Sequence, residues 1–262
     1  MFTSKREPGH PDRRRCGDVQ QMTTAGRRPG IASEMTATAV RDTLKALGIG
    51  RGDEVIVPSY GPGAPADGAR LAGATPVFAD IDPRTYCVDP ASVAACVTSR
   101  TAALVPVNVF GHPAAMDLLD DLAVRHGLAV VEEAPSGEDV GAVARRRAHA
   151  RFLDSALTGV VVPYTAPGAH HVYHQYTVRV PGNGRPDRDA YLRALAVRGV
   201  RATVSVPVPV HRMPAHRAAP PVELPQTELV AADSLSLPVH SGLTQRELTH
   251  IATVCNRLGG IV

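Results

Sequence analysis

Two adjacent carboxylates are the first candidates for chemistry in this sequence. Glu132 and Glu133 end the apolar run LAVVEE (128–133), and Glu138 and Asp139 follow within a few residues. Clustered carboxylates can act as a general acid/base pair or bind a magnesium ion. A solvated loop at a domain junction is the simpler interpretation, and it is the one we favour.

A positively charged segment follows this acidic turn directly. Its arginines could bind an anion such as a sugar diphosphate, because a guanidinium group matches the geometry of phosphate oxygens. A helix that faces solvent or a second subunit is the default interpretation. The four arginines are Arg145, Arg146, Arg147 and Arg151.

Lysine is almost absent from the chain. It occurs only as Lys5 and Lys45, so arginine supplies 26 of the 28 basic residues. A lysine amine is the group that forms a Schiff base with a carbonyl compound or cofactor. Any reaction of that kind would therefore depend on one of two residues.

Three histidines form the other cluster that could do chemistry. His170, His171 and His174 lie in the phrase HHVYH, and on a strand residues 170 and 174 would share a face. Two imidazoles without a placed carboxylate or thiolate make a poor metal site. We therefore predict no bound metal, and no serine-hydrolase motif or P-loop is present in the sequence.

Composition excludes several classes of protein. A net charge of +3 gives no reason to expect a nucleic acid or membrane partner. No apolar run approaches the roughly 20 residues that span a bilayer. The four cysteines lie far apart, which argues against a zinc site or a disulfide framework and is typical of a cytoplasmic protein. They are Cys16, Cys87, Cys96 and Cys255.

The elements that must position these residues alternate between strand and helix. Short apolar runs separated by helical periodicity predict βα units and a mainly parallel sheet, whose ligands bind beyond the carboxyl ends of the strands. The predicted strands are 54–59, 75–80, 102–109 and 128–133, and the predicted helices are 36–47, 64–72, 89–97 and 114–126.

The second half has a different pattern and predicts a small α+β domain. We expect helices over 140–156, from the Asp187 N-cap to Val197, and from the Thr244–Glu247 capping box onward. Strands are expected at 159–163, 171–180 and 200–206. The predicted domains are a disordered tail over 1–30, an incomplete parallel α/β domain over 31–139 and a C-terminal domain over 140–262.

Seven phrases distributed along the chain carry a resemblance to one protein family. They are ALGIGRGDEVIVPSY (46–60), LAGATPVFADIDPRTYCVDP (71–90), ALVPVNVFGHPAAMD (103–117), HGLAVVEEA (126–134), HVYHQYTVRVP (171–181), RALAVRGVRATVSVPVPVH (193–211) and SLSLPVHSGLTQREL (234–248). Together they cover most of residues 31–258 and resemble the DegT/DnrJ/StrS family of nucleotide-sugar aminotransferases. The resemblance implies a type I pyridoxal-phosphate fold, here shortened, and a homodimer that transfers an amino group to a keto group on a nucleotide-linked sugar.

One section that the family uses for catalysis is missing. In the family, a long stretch after the strand that ends "EDAAQ" carries the lysine that binds the cofactor. Here Glu132-Glu133-Ala134-Pro135-Ser136 leads straight to the C-terminal domain. Neither Lys5 nor Lys45 aligns with that lysine. We therefore predict an internally truncated relative without catalytic activity.

The remaining cofactor-binding positions that the resemblance implies are altered. Glu133 stands where the family has an aspartate that pairs with the pyridinium nitrogen, and Ser136 stands where an amide or imidazole contacts the phenolic oxygen. Pro62 replaces the aromatic residue that stacks on the ring, and the phosphate-binding "SGTAAL" reads MTATAV at 35–40. Pyridoxal phosphate is thus the cofactor by family, but we expect none to be bound.

Two functions stay open at this stage. The first is a degenerate relative that binds a sugar nucleotide, or that forms a homodimer or a heterodimer with a full-length aminotransferase. The alternative is an active pyridoxal-phosphate-dependent sugar aminotransferase acting on a nucleotide-linked keto sugar, which the overall resemblance alone would imply. The presence or absence of a reactive lysine distinguishes them.

Overall fold

The computed structural model describes residues 31–33, 35–133, 137, 139–180, 187–217 and 221–259; for residues 31–33 and 133 it describes the backbone alone. Its architecture is α/β, with a parallel sheet, as predicted. Within the described ranges, no helix combines the length and the apolarity that crossing a membrane requires. The predicted tail over 1–30 and Ser136 lie outside the described residues.

A five-stranded parallel sheet forms the N-terminal half. The strand order is β1-β5-β4-β2-β3, and every neighbouring pair runs parallel. All five residues of β2 are buried, as expected for a central strand covered by helices on both faces. The strands are β1 (Ile31–Ser33), β2 (Glu54–Pro58), β3 (Thr75–Ala79), β4 (Thr101–Leu104) and β5 (Ala129–Glu133).

The helices between these strands begin and end at capping residues that can be recognised in the sequence. The Asp89 carboxylate caps the third helix by accepting from the amides of Ala91 and Ser92, at 3.3 Å each. Gly73 and Gly127 end the second and fourth helices in the left-handed conformation that favours glycine. The helices are α1 (Ala37–Ala46), α2 (Ala64–Ala72), α3 (Pro90–Cys96) and α4 (Met116–His126).

The described part of the C-terminal half contains a two-stranded antiparallel sheet and four α-helices. Asp187 caps its second helix as predicted, and Thr244 and Glu247 form the predicted capping box through Oγ1, Oε2 and backbone amides. The elements are α5 (Val140–Ala156), β6 (Tyr176–Arg179), α6 (Arg188–Val197), α7 (Pro225–Asp233), β7 (Ser234–Leu237) and α8 (Gln245–Gly259).

Three predicted strands of this half are wrong in whole or in part. Residues 159–163 and 200–206 form only isolated bridges, at Val161 and Thr203, and the strand predicted over 171–180 is confined to β6. The backbone before β6 bends at Tyr173, which adopts a φ of +50°. Its backbone N–H donates a hydrogen bond to Nδ1 of His171, two residues earlier, at 3.0 Å. His170 and His174 therefore do not share a strand face. In the sheet, the predicted strand 102–109 ends early, at Leu104.

Buried apolar side chains form three clusters. One lies on each face of the parallel sheet, and the third joins α5, α6, α8, β6 and β7. Residues from the C-terminal half enter the first two clusters: Val206, Val230 and Ala231 on one face, and Val210 and Leu224 on the other. The described residues 206–210 and 224–231 therefore pack against the sheet and bring C-terminal residues to its carboxyl edge.

Candidate functional site

A cavity of about 400 Å³ opens at the carboxyl edge of the parallel sheet, where ligands of such sheets bind. Segments that precede α1 and follow β2 and β4 form one side of it, and segments before β6 and after α6 form the other. We call it the first cavity. It is lined by Met35, Gly61, Pro62, Val107, Asn108, Val109, Phe110, His174, Gln175, Ser205 and Val206.

Phe110, which lines the first cavity, packs on two buried tyrosines. Phe110 has a φ of +57° and packs edge-on against Tyr60 and Tyr86, with ring centroids 5.7–5.8 Å apart. The Tyr60 hydroxyl bonds to Ser234 Oγ at 2.8 Å, and burial raises its pKa to about 12. Asn108, the polar residue after β4, uses its Oδ1 to accept the Ala114 amide at 2.9 Å. None of these groups is poised to exchange protons at neutral pH.

The N-terminus of α1, where the resemblance implies a phosphate site, is capped by the chain itself. Thr36 Oγ1 accepts from the Ala39 amide at 3.2 Å. The helix also packs tightly against α2, because a Cβ on Gly68 would lie 2.6 Å from Val40 Cβ. The Thr36 hydroxyl therefore satisfies one of the first-turn amides of α1, that of Ala39.

No described residue supplies a lysine amine to the first cavity. Lys45 is exposed in the last turn of α1, whose opposite end carries Met35 to the cavity wall. Lys45 comes nine positions after Thr36, so about 13 Å of helix axis lies between them. Lys5 lies outside the described residues. A cofactor attached through a Schiff base therefore does not fit the described side chains.

The two predicted cofactor contacts stay predictions. Glu133 ends β5, with its backbone in register with Ser33 at the carboxyl edge of the sheet. Its side chain, and the whole of Ser136, lie outside what the structure describes. Glu132 is half-buried and has a polar or electrostatic partner. Within the described residues, no group of three or more His, Cys, Asp or Glu side chains could hold a metal ion.

A second cavity, of about 380 Å³, adjoins the first. His174 and Gln175 line both, so they form the boundary between the two spaces. Its wall combines the arginine-rich helix α5, the segment after α6, and the residues that follow β7. The second cavity is lined by Arg146, His174, Gln175, Arg201, Thr203, Ser236, Leu237, Pro238, Val239, His240 and Ser241.

A network of hydroxyl groups fixes the side chain at this boundary. Gln175 Oε1 accepts from Ser205 Oγ and, at 2.9 Å, from Ser236 Oγ. Ser236 Oγ also lies 2.8 Å from Thr177 Oγ1. Because the amide oxygen is occupied by two donors, the Gln175 nitrogen is the end left to face the cavities.

Two buried histidines anchor the segment that carries His174 and Gln175. His171 stacks on Tyr173 with ring centroids 3.8 Å apart, and its edge meets His112 at 5.3 Å. Burial lowers the pKa of His171 to about 3 and also lowers the pKa of His112. His112 Nε2 accepts the Ala166 amide at 3.2 Å, while Nδ1 lies 2.7 Å from the Pro113 carbonyl and donates to it. Both rings are thus neutral structural elements.

The structure brings together a serine, a histidine and a glutamate that the sequence analysis missed. Ser59 Oγ lies 2.5 Å from His211 Nδ1, and His211 Nε2 lies 3.1 Å from Glu228 Oε1. Since a carboxylate can only accept, Nε2 carries the proton and Ser59 donates to Nδ1. Ser59 has no exposed surface and also accepts the His211 amide at 3.0 Å. The arrangement therefore pins residues 210–212 to the end of β2, and no substrate can reach the hydroxyl.

Comparison with known proteins connects this architecture to amine transfer. The model of the DegT/DnrJ/EryC1/StrS aminotransferase family matches residues 22–142 and 140–256. The dTDP-3-amino-3,4,6-trideoxy-alpha-D-glucose transaminase of Streptomyces venezuelae is 31% identical over 298 residues, which cover 80% of this chain and 77% of that protein. The solved structure of S. venezuelae DesV in complex with a ketimine intermediate has a TM-score of 0.78 at 28% identity, covering 88% of this chain and 84% of that one.

The alignment with another relative is much longer than the part of this chain that it contains. The pleiotropic regulatory protein of Geobacillus stearothermophilus is 28% identical over 312 residues, covering 85% of this chain and 82% of that protein. Since 85% of 262 residues is about 223, roughly 90 of the 312 aligned positions hold no residue of this chain. The two stretches that match the family model meet at residues 140–142, at the beginning of α5.

Proposed function

Because this chain belongs to the DegT/DnrJ/EryC1/StrS aminotransferase family, we propose that it is a member that does not itself catalyse transamination. Pyridoxal phosphate, where a lysine holds it as a Schiff base, supplies the electron sink for amine transfer. The observation that carries the proposal is the position of Lys45, which is exposed at the end of α1 remote from the first cavity. Among the described residues that line the first cavity there is no lysine to hold the cofactor covalently or to move its protons, and this supports the proposal.

The alignment lengths support an internal loss of the catalytic section. About 90 aligned positions of the G. stearothermophilus relative have no counterpart here, and the family match changes stretches at residues 140–142. That position follows the end of β5, where the sequence lacks the long section that carries the family's lysine. A deletion at this point would remove the reactive residue while keeping the elements on both sides.

The rest of the first cavity is also unsuited to a pyridine ring and its phosphate. Pro62 lines the cavity where the resemblance implies a stacking aromatic residue, and it presents no π face. At the N-terminus of α1, Thr36 Oγ1 already accepts one of the amides that a phosphate would use. Among the described residues, Pro62 and Thr36 therefore provide neither the stacking surface nor the open helix terminus that the resemblance implies.

The alternative is an active sugar aminotransferase that acts on a nucleotide-linked keto sugar. The similarity to the S. venezuelae transaminase, at 31% identity over 80% of this chain, favours it. It would require Lys5 or Lys45 to reach the cofactor. The position of Lys45 makes the non-catalytic function the better supported of the two.

We also propose that the protein works in the cytoplasm and as a subunit of a larger assembly. The expected assembly is a homodimer or a heterodimer with a full-length aminotransferase, and the expected ligand is a sugar nucleotide. Light scattering on the purified protein, alone and mixed with a full-length family member, tests the assembly. A monomer in both samples would contradict it.

Borohydride trapping tests the central proposal. The protein is incubated with pyridoxal phosphate, reduced, digested and mapped by mass spectrometry, with the S. venezuelae transaminase as the positive control. We expect stoichiometric labelling of one lysine in the control and no site-specific labelling here. Stoichiometric labelling of Lys45 or Lys5, abolished by substituting that lysine with arginine, would support the active alternative.

A further inference from the structure

Helices α6 and α8 present rows of exposed basic side chains on one side of the C-terminal half. On α8, exposed Arg246, His250 and Arg257 recur at spacings of four and seven residues, which places them on one side of the helix. On α6, exposed Arg193 lies one turn before Val197. We call this surface the α6–α8 face; it comprises Arg193, Val197, Arg198, Arg246, His250, Thr253 and Arg257.

The two helices that form the face pack side by side and run antiparallel. The Tyr191 hydroxyl, near the beginning of α6, donates to the Cys255 carbonyl of α8 at 3.0 Å. His250 Nε2, nearer the beginning of α8, donates to the carbonyl of Arg198, at the end of α6, at 2.9 Å. The exposed rows of the two helices are therefore neighbours on the surface.

The positive charge of the α6–α8 face is not neutralised by the chain. Within the described residues, none of its four arginines forms an ion pair with a carboxylate. Glu247 follows Arg246 directly, but its carboxylate accepts from the Thr244 amide at 2.7 Å and from the Thr244 hydroxyl at 2.8 Å. Unpaired charges of one sign on one surface produce a potential that attracts the opposite sign.

An exposed apolar side chain lies among these arginines. Val197 is 85% exposed, and Arg198 is its neighbour in sequence. Apolar contact surface surrounded by charged groups, with arginine among them, is typical of protein–protein interfaces. Residues 1–30 contain seven basic and three acidic residues, so this segment has the same sign of charge as the face and is a poor occupant for it.

We propose that the α6–α8 face docks an acidic segment of a partner protein, with carboxylates on the arginines and an apolar side chain over Val197. Arg246 and Arg257 are separated by about 16 Å of helix axis, which an extended segment of about five residues would span. This inference goes beyond the proposed function, since docking is independent of whether the chain transfers amines.

Fluorescence anisotropy tests the proposal with a labelled peptide of about ten residues, glutamates around a central leucine, which exceeds the length of the face. The control peptide has glutamine in place of glutamate. The key variant, Arg193→Gln/Arg246→Gln, removes one exposed arginine from each helix. The matched control, Arg51→Gln/Arg125→Gln, removes the same charge from exposed positions in the N-terminal half. Thermal melting verifies that each variant is folded.

We expect the acidic peptide to bind the wild type, more weakly as salt is added, and the glutamine peptide not to bind. Arg193→Gln/Arg246→Gln should weaken binding by about five-fold or more, as for two lost surface ion pairs, and Arg51→Gln/Arg125→Gln by less than about two-fold. Val197→Ser should weaken binding by about three-fold if the central leucine covers Val197. Absence of peptide binding, or equal weakening in the two double variants, would overturn the proposal.

Two other anionic partners are distinguished by parallel measurements. A labelled duplex DNA and vesicles that contain phosphatidylserine are titrated with the wild type and with Arg193→Gln/Arg246→Gln. We expect both to bind more weakly than the acidic peptide, since neither offers a leucine side chain to Val197. Tighter binding of DNA or vesicles, lost in the double variant, would assign the face to that partner and overturn the proposal.

Discussion

Acid should destabilise this protein through one buried histidine. His171 is 4% exposed, stacks on Tyr173, and uses Nδ1 to accept the Tyr173 amide at 3.0 Å. A proton on Nδ1 would break that hydrogen bond and place a charge in a site from which water is excluded. Arg147 adds an unfavourable positive charge nearby, and His112 and His174 would add to it once they are protonated in acid. The folded chain therefore binds this proton only near pH 3.

The sign and size of the effect follow from proton linkage. The pKa of His171 is lower in the folded chain than its usual value of 6.5, so the unfolded chain binds the proton first as pH falls. Its contribution to stability is present above about pH 6.5 and is lost progressively between pH 6.5 and 3. Each unit corresponds to about 1.4 kcal/mol, so lowering the pH from 7 to 4.5 should reduce the free energy of unfolding by about 2.5 kcal/mol through this residue.

The substitution His171→Asn isolates this contribution, because an asparagine oxygen can accept the Tyr173 amide but does not titrate. Urea unfolding at pH 7 and pH 4.5 gives the pH dependence of each protein. We expect the variant to be less stable at pH 7, since it loses the ring stacked on Tyr173, but to lose about 2–3 kcal/mol less than the wild type on acidification. Equal losses in both proteins would refute the reasoning, as would an imidazole titration of His171 near pH 6.5 by NMR.

Two further predictions concern backbone anchors of the site. Ser59→Ala should lower the free energy of unfolding, measured by urea titration, by about 2–4 kcal/mol, because it leaves the His211 amide and Nδ1 buried without a partner. The control Ser155→Ala, at an exposed position, should change this free energy by less than about 0.5 kcal/mol. Gly111→Ala should cost at least about 2 kcal/mol in thermal melts, since its φ is +90° and a Cβ would lie 2.7 Å from Val172 Cγ2. Gly127→Ala, at φ +68° with open space, should cost only about 1 kcal/mol and separates backbone strain from steric clash.

Local signals determined the elements that sequence alone could predict. Helices α2 and α5 have the predicted bounds, and α6 and α8 begin at the predicted caps, because caps, glycines and apolar periodicity lie within a few residues of each helix. Helix α7 was missed because its cap is remote in sequence. Asp80 Oδ1 and Oδ2 accept from the amides of Thr227 and Gln226, at 2.8 and 3.0 Å.

The arrangement of the candidate site could be predicted less well than the helices, because it is fixed by contacts between residues far apart in the sequence. The parallel sheet was predicted correctly, and Pro62 lines the first cavity at its carboxyl edge. The bend before β6 was not predictable, because the Val172 amide is fixed by the carbonyl of Gly111, which lies in another part of the chain. Ser59 and His211 meet across 152 residues of sequence, and nothing in either local pattern indicates the other.

The missing lysine was visible from the sequence, but its consequence required the structure. The sequence shows only that Lys45 lies in the helix before β2. The structure places it at the end of α1 that is far from the cavity wall formed by Met35. Counting residue types therefore identified the scarcity of lysine, and the structure adds that Lys45 does not line the first cavity.

The most direct test of the central claim is the amine-transfer half-reaction. Equimolar protein and pyridoxal phosphate are incubated with L-glutamate, and the pyridoxamine phosphate formed is quantified by chromatography, with the S. venezuelae transaminase as the positive control. The account predicts formation no faster than in buffer containing pyridoxal phosphate and L-glutamate alone, and the same result for Lys45→Arg. Formation that rises in proportion to protein concentration and disappears in Lys45→Arg would contradict it.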